Sequence, residues 1–112
     1  MAAGRSQNAR RMTRTPNGAG DEPVLIELSG EYDLARRDEL EQQLSSAYTA
    51  AIAVIDLRDV TYIDSTALAC LIRLKKRMTE HGPAIVQLRS VQPQVFRVFE
   101  LTQLDKVFEV LP

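Results

Sequence analysis

The feature that most constrains this chain is the stretch from Ile52 to Met78. A near-continuous apolar run, Ile52 to Leu57, gives way after Asp64-Ser65-Thr66 to a long amphipathic run. A buried strand therefore ends in a short loop that brings an acid and two hydroxyls to the start of a helix. At 100° per residue, Ala67, Leu71, Leu74 and Met78 fall within about 60° of arc. Leu68 and Cys70 flank that stripe, and Arg73, Lys76, Arg77 and Glu80 lie opposite. Basic residues crowd the last two turns, where the helix dipole favours them. Gly82 suits a left-handed C-terminal position and Pro83 blocks continuation. Asp64, Ser65 and Thr66 are all good N-cap types, and spacing does not choose among them.

A chain of 112 residues with 45% hydrophobic residues has enough apolar surface for one compact domain. No apolar run approaches the about 20 residues of a membrane span, and the first residues lack a signal peptide's apolar core. One cysteine excludes an internal disulfide framework and fits a reducing, cytoplasmic setting without membrane insertion. The net charge of −1 gives nucleic-acid binding no general support. That charge is uneven: residues 1–22 carry a net +2, from Arg5, Arg10, Arg11 and Arg14 against Asp21 and Glu22, and the remainder −3. This stretch lacks periodic apolar residues and reads as a flexible basic tail, its arginines too dilute for a strong patch. An added edge strand around Arg11 to Thr15, turned by Pro16 and Gly18, is the one structured alternative.

Further along, Val24 to Ser29 alternates weakly, as a strand with one better-buried face does, and Gly30 is expected to end it. Glu31-Tyr32-Asp33 then forms a loop, with Asp33 an N-cap. From Leu34 to Ala51 the period becomes helical, with Leu40, Leu44, Ala47, Tyr48 and Ala51 on one face. The strand Ile52 to Leu57 has the continuous apolar character of one buried on both faces of a parallel sheet. Asp56 interrupts it and must sit at a strand end or find partners. Ala84 to Leu88 is a third strand. Ser90 and Pro93 mark a helix with Val95, Val98 and Phe99 on its apolar face, Phe96 beside them, running up to Leu101. Val107 to Leu111 closes the sheet. Alternation of strands and helices predicts parallel strands joined by right-handed crossovers.

Enzyme chemistry finds little foothold. His81 beside Gly82-Pro83 reads as a polar residue at a helix end. Cys70 reads as a small core residue without a histidine partner. There is no metal-ligand cluster, no phosphate-cradling glycine loop, and no Gly-x-Ser-x-Gly turn. Catalysis by this chain is not expected, and no cofactor is implied. By spacing alone, Asp-Ser-Thr before an apolar run is an ordinary helix cap.

Four segments add a resemblance. They are Leu28-Ser29-Gly30-Glu31-Tyr32-Asp33, Val54-Ile55-Asp56-Leu57-Arg58-Asp59-Val60, Tyr62-Ile63-Asp64-Ser65-Thr66-Ala67-Leu68, and Val95 to Thr102. Together residues 23–112 resemble a STAS domain, specifically the bacterial anti-sigma factor antagonists. The resemblance implies a single α/β domain over 23–112, with a mostly parallel four- to five-stranded sheet and helices packed against it. It also implies that Ser65, directly after the aspartate, is phosphorylated by an anti-sigma factor with serine kinase activity, with Thr66 the weaker candidate. A serine phosphatase would reverse this. The unphosphorylated form would bind the kinase and free a sigma factor, in a cytoplasmic partner-switching cycle. One departure is Ala67, where the family usually has glycine. Alanine is a good helix former, so the first turn is expected to be stiffer.

A phosphate adds about −1.5 to −2 charges at pH 7, which a helix N-terminus tolerates. With Asp64 beside it, the added charge is expected to repel a docked partner without refolding the domain. The helical wheel puts Ser65, Ala69 and Ile72 on a face away from the buried stripe, with Arg73 and Lys76 nearby. An exposed Ile72 would make that face the docking patch; the alternative is that a neighbouring element of the same domain covers Ile72. The resemblance further implies that the loop around Asp33 lies close to Ser65, because domains of this family gather these loops at one end of the sheet. Partner contacts are expected at Asp33, Asp64, Ser65, Thr66, Ala69, Ile72 and Arg73. Other readings are a STAS subunit gripping the ATPase of a phospholipid-transport ABC assembly, and a stressosome-like scaffold. A hydrolase is a distant further reading.

Overall fold

The computed structural model describes residues 22–111. The expected tail, apart from Glu22, and the edge strand considered at Arg11 to Thr15 lie outside the described residues. Four strands, β1 (Val24–Tyr32), β2 (Ile52–Ile63), β3 (Ile85–Arg89) and β4 (Glu109–Val110), form one parallel sheet in chain order. Three helices alternate with them: α1 (Arg37–Leu44), α2 (Ser65–Thr79) and α3 (Pro93–Leu101). This is the expected α/β architecture, with the four-stranded version of the sheet. No described helix is long and apolar enough to cross a membrane.

Side-chain alternation decides where the core lies. Ile26 and Leu28 of β1, Ala53, Ile55 and Leu57 of β2, and Val86 and Leu88 of β3 are buried on one face. They pack in one cluster with Leu40 and Leu44 of α1, Leu71, Leu74 and Met78 of α2, and Val95 and Phe99 of α3. The expected stripe of α2 is buried as a unit, with Leu68 and Cys70 included. Phe99 meets Phe108 edge to face, which ties α3 to the turn before β4. Among the described residues the helices pack on this face alone, so the opposite face stays open at Leu25 (51% exposed) and Ile85 (42% exposed). The two-sided burial expected for β2 is thus corrected. Ile52 and Val54 point away from the helices and are half-buried. Asp56 on that side is buried, and finds its partners in the Arg58 amide at 2.9 Å and the guanidinium groups of Arg58 and Arg89.

Several element boundaries differ from expectation. Gly30 does not end β1. It takes a positive φ of 89° at a register shift, and the strand runs on through Glu31 and Tyr32. β2 continues past Leu57 to Ile63 because β1 pairs with it throughout, to Tyr32 opposite Ile63. β3 stops pairing at Arg89, opposite Asp56. Beyond that point the side-chain amides of Gln92 and Gln94 donate to the Arg58 and Thr61 carbonyls at 2.7 and 3.3 Å. They stand in for the missing strand neighbour. The helix expected over Leu34 to Ala51 is α over Arg37–Leu44 only, with 3-10 turns at Leu34–Arg36 and Ser45–Ala47. Ser45 Oγ donates to the Gln42 carbonyl at 2.7 Å, a local bond that competes with helix continuation. Leu101 ends α3 exposed to solvent, outside its buried face. The closing strand is Glu109–Val110, and the Leu111 amide also donates to the Leu88 carbonyl at 2.8 Å.

Candidate functional site

Two neighbouring parallel strands end side by side, and each ends in an aspartate. Tyr32 of β1 lies opposite Ile63 of β2, and the Asp64 amide donates to the Tyr32 carbonyl at 3.3 Å. Asp33 and Asp64 share nearly the same extended backbone, with φ of −124° and −120°. Each turns its carboxylate back on the following amides. Asp33 Oδ1 accepts from Ala35 N at 3.0 Å. Asp64 Oδ1 accepts from Thr66 N at 2.9 Å and Ala67 N at 3.3 Å. The structure therefore chooses Asp64 as the α2 cap among the three candidates, and the expected cap at Asp33 is present.

That choice sorts the hydroxyls. With Asp64 as cap, Ser65 is the first residue of α2 and is exposed. Thr66 is half-buried and Ala67 is buried against the core. Ser65 thus presents the more accessible hydroxyl, at a helix N-terminus whose dipole favours an anion.

The flank of α2 is less open than the helical wheel implies. Ala69 is exposed, but Ile72 is half-buried and packs against the core. Arg73 forms an ion pair with Glu41 of α1, which also pairs with Arg37. α1 lies beside α2, joined to it by the Arg73–Glu41 ion pair, and Arg73 itself stays exposed. Asp33, Asp64, Ser65 and Thr66 are brought together at the strand ends; Ile72, packed against the core, and the exposed Arg73 follow two turns along α2.

Sequence reasoning missed the device that holds the Asp33 turn. Arg36 Nη1 donates to the carbonyls of Ser29 and Glu31 at 2.8 and 3.0 Å, on both sides of Gly30. Its Nε and Nη2 donate to the two carboxylate oxygens of Glu39 at 3.0 and 2.6 Å. The guanidinium lies 4.0 Å from the centre of the Tyr32 ring. A Cβ at position 30 would meet Arg36 Nη1 at 2.9 Å, so Gly30 supplies both the positive φ and the space. The buried Tyr32 donates its hydroxyl to Gln43 at 3.1 Å and accepts from the Ser29 amide at 3.3 Å. The hydrogen bonds from Arg36 hold the Glu39 carboxyl below its ordinary range. The spacing of Arg36 and Glu39 on one helical face was the available signal.

The remaining candidates behave as packing groups. Burial pushes the Cys70 thiol up. The His81 amide donates to the Met78 carbonyl at the end of α2. Among the described residues, no group of three or more His, Cys, Asp or Glu side chains could hold a metal ion.

Comparison with known proteins agrees with this geometry. A family model described as "Mlab, STAS domain" matches residues 17–112. A STAS-domain containing protein of Pseudomonas aeruginosa (strain UCBPP-PA14) is 28% identical over 100 residues, covering 88% of this chain and 97% of the relative. An anti-sigma-B factor antagonist of Bacillus subtilis (strain 168) is 26% identical over 88 residues, covering 78% and 80%. The crystal structure of an anti-sigma factor antagonist from Mycobacterium paratuberculosis superposes with a TM-score of 0.67 at 29% identity, covering 80% of this chain and 77% of that one. With the aspartate-capped helix, the parallel sheet and a family match over nearly all of its length, the chain belongs to the STAS domain family.

Proposed function

We propose that this chain is an anti-sigma factor antagonist whose docking is controlled by phosphorylation of Ser65. The unphosphorylated chain binds an anti-sigma factor with serine kinase activity and frees the sigma factor. Phosphate on Ser65 ends that binding, and a serine phosphatase restores it. The chain is the substrate in this cycle and performs no reaction itself.

The observation that carries the reading is the exposed Ser65 at the first position of α2, with the capping work done by the neighbouring Asp64 carboxylate. The Ser65 hydroxyl has no part in that cap, so a phosphate can be added without undoing it. In water, two unit charges at about 4 Å interact by only about 1 kcal/mol, so the fold tolerates phosphate beside Asp64. Against a docked surface the same charges lose their water, and the repulsion grows severalfold. The switch is then a change of surface charge.

The test is mass spectrometry of the chain after incubation with ATP and each purified serine-kinase anti-sigma factor of the source bacterium. Phosphate on Ser65 is expected. The Ser65→Ala variant should bind without being modified, and Ser65→Glu should bind more weakly. Equal affinity of these two variants would overturn the switch.

The matching family description does not itself name sigma-factor control, which keeps one other reading in view. In it, the same strand ends grip the ATPase of a phospholipid-transport ABC assembly without a phosphate cycle. The helix-forming, buried Ala67 in the first turn suits such a fixed contact. Tight ATPase binding that is indifferent to Ser65→Glu would favour it.

A further inference from the structure

We infer that the chain associates with a second copy of itself through the open face of its sheet, about a two-fold axis running along β2. The inference goes beyond the Ser65 reading and concerns a separate surface. Parallel sheets are almost always covered on both faces. Here the described helices cover one face, and the other presents an apolar patch. Leu25 and Ile85 are exposed, and Ile52 and Val54 between them are half-buried. The strand register joins them: Leu25 lies opposite Val54, and Ile52 opposite Ile85. The patch sits at the beginning of β2, whereas Ser65 follows its end.

The charge pattern identifies the occupant. Next to the patch, Glu27, Asp56 and Arg89 share one row across three strands. Asp56 is buried, and the guanidinium groups of Arg58 and Arg89 stand 3.7 and 3.6 Å from its Oδ2. Glu27 is exposed and has no ion-pair partner among the described residues. Glu27 and Asp56 balance Arg58 and Arg89, so this face has no net charge to draw a strongly acidic or basic partner. Its signs are separated instead, with a free acid on β1 and a cation on β3, either side of β2. A rotation of 180° about an axis along β2 exchanges β1 and β3 and keeps each row level. Glu27 of each copy then lies over Arg89 of the other, and the two copies of Val54 meet at the centre. Sheets stacked with their strands roughly aligned lie about 10 Å apart, a gap that side chains from the two inner faces fill. Such a self-complementary two-fold contact is the commonest kind in oligomers. Residues 1–21, which lead into β1, lack the periodic apolar residues needed to cover the patch. Three short strands about 4.8 Å apart make a small face, so the dimer is weak and concentration-dependent.

The experiment is sedimentation equilibrium of the full chain from micromolar to near-millimolar concentration, with the melting temperature of each variant taken at low concentration. The parent should pass from monomer to dimer, and added salt should weaken the dimer. Leu25→Glu and Glu27→Arg, both at exposed positions, should each raise the dissociation constant about tenfold or more. Leu101→Glu, at an exposed apolar position on α3, should leave it unchanged. Arg89→Glu should dissociate too, yet a mixture of Glu27→Arg and Arg89→Glu chains should pair, because each acid then faces a cation across the axis. If Arg89→Glu fails to fold beside Asp56, or Leu25→Glu melts early in a dimerising chain, Glu27→Arg decides alone. A parent that stays monomeric throughout overturns the inference, and early melting of Leu25→Glu in that monomer assigns the patch to residues 1–21. A dimer that Leu25→Glu and Glu27→Arg leave at parent affinity overturns it as well. Folded Glu27→Arg and Arg89→Glu chains that do not pair in the mixture overturn the axis. None of these results bears on the test of Ser65.

Discussion

Replacing Asp64 tests the hinge of the site, because that carboxylate performs two separable jobs. Asp64→Ala removes the acceptor for two amides, Thr66 N and Ala67 N. Loss of such a cap costs about 1–2 kcal/mol. For a domain of this size that corresponds to a fall in melting temperature of roughly 5–10 °C. α2 supplies Ala67, Leu68, Leu71, Leu74 and Met78 to the core, so fraying of its first turn is felt by the whole fold. Asp64→Asn keeps an oxygen in the same place and should remain within about 0.5 kcal/mol of the parent. It removes the negative charge beside Ser65. Urea denaturation of the three proteins, followed by phosphorylation kinetics, separates the jobs. Asparagine should restore stability, and the added phosphate should then weaken binding less than in the parent. If alanine and asparagine melt alike, the cap is not what organises this turn. If alanine leaves stability unchanged, the argument for an independently capped, freely modifiable Ser65 fails.

Two other outcomes follow from the Arg36 device. Gly30→Ala forces a Cβ toward Arg36 Nη1 at a φ of 89° and is expected to cost about 1–3 kcal/mol. In a double-mutant cycle with Arg36→Ala, read by urea denaturation, the losses should be less than additive, because the clash disappears with the guanidinium; strict additivity would refute the contact. The Glu39 carboxyl is held below its ordinary range by Arg36. Its contribution is complete above the ordinary carboxylate range and is lost as pH falls through the lower folded value. The stability gap between the parent and Glu39→Gln, measured in urea melts across acidic pH, should narrow as pH drops below the ordinary carboxylate range. A gap independent of pH would rule out the ion pair as its source.

How much of this was legible in the sequence depended on the range over which each cause acts. The α2 stripe was readable because Ala67, Leu71, Leu74 and Met78 repeat within one helix, and a repeat of that kind is local information. The Asp33 cap was readable for the same reason, since a carboxylate two residues before its amide needs no distant partner; at α2 three adjacent cap types left the choice open, and the structure settles it on Asp64. The ends of β1 and β2 were not. Arg58, Asp59, Thr61 and Tyr62 look like a loop, yet they belong to a strand because β1 pairs with it and Gln92 and Gln94 satisfy carbonyls on the other edge. Gly30 reads as a strand end, and only its pairing with β2 and its positive φ show that it sits at an irregularity inside β1.

The candidate site divides in the same way. The sequence by itself determined that an acid and two hydroxyls would stand at the start of an amphipathic helix, since cap chemistry and helical period are properties of adjacent residues. Tertiary structure alone decided which hydroxyl is open, that Ile72 packs against the core while Arg73 is drawn to Glu41, and that Leu34 and Tyr62 stay uncovered. Those outcomes depend on how closely α1 lies to α2 and on which strands end together. Such distances are set by packing between segments thirty residues or so apart, and no pattern within one segment encodes them.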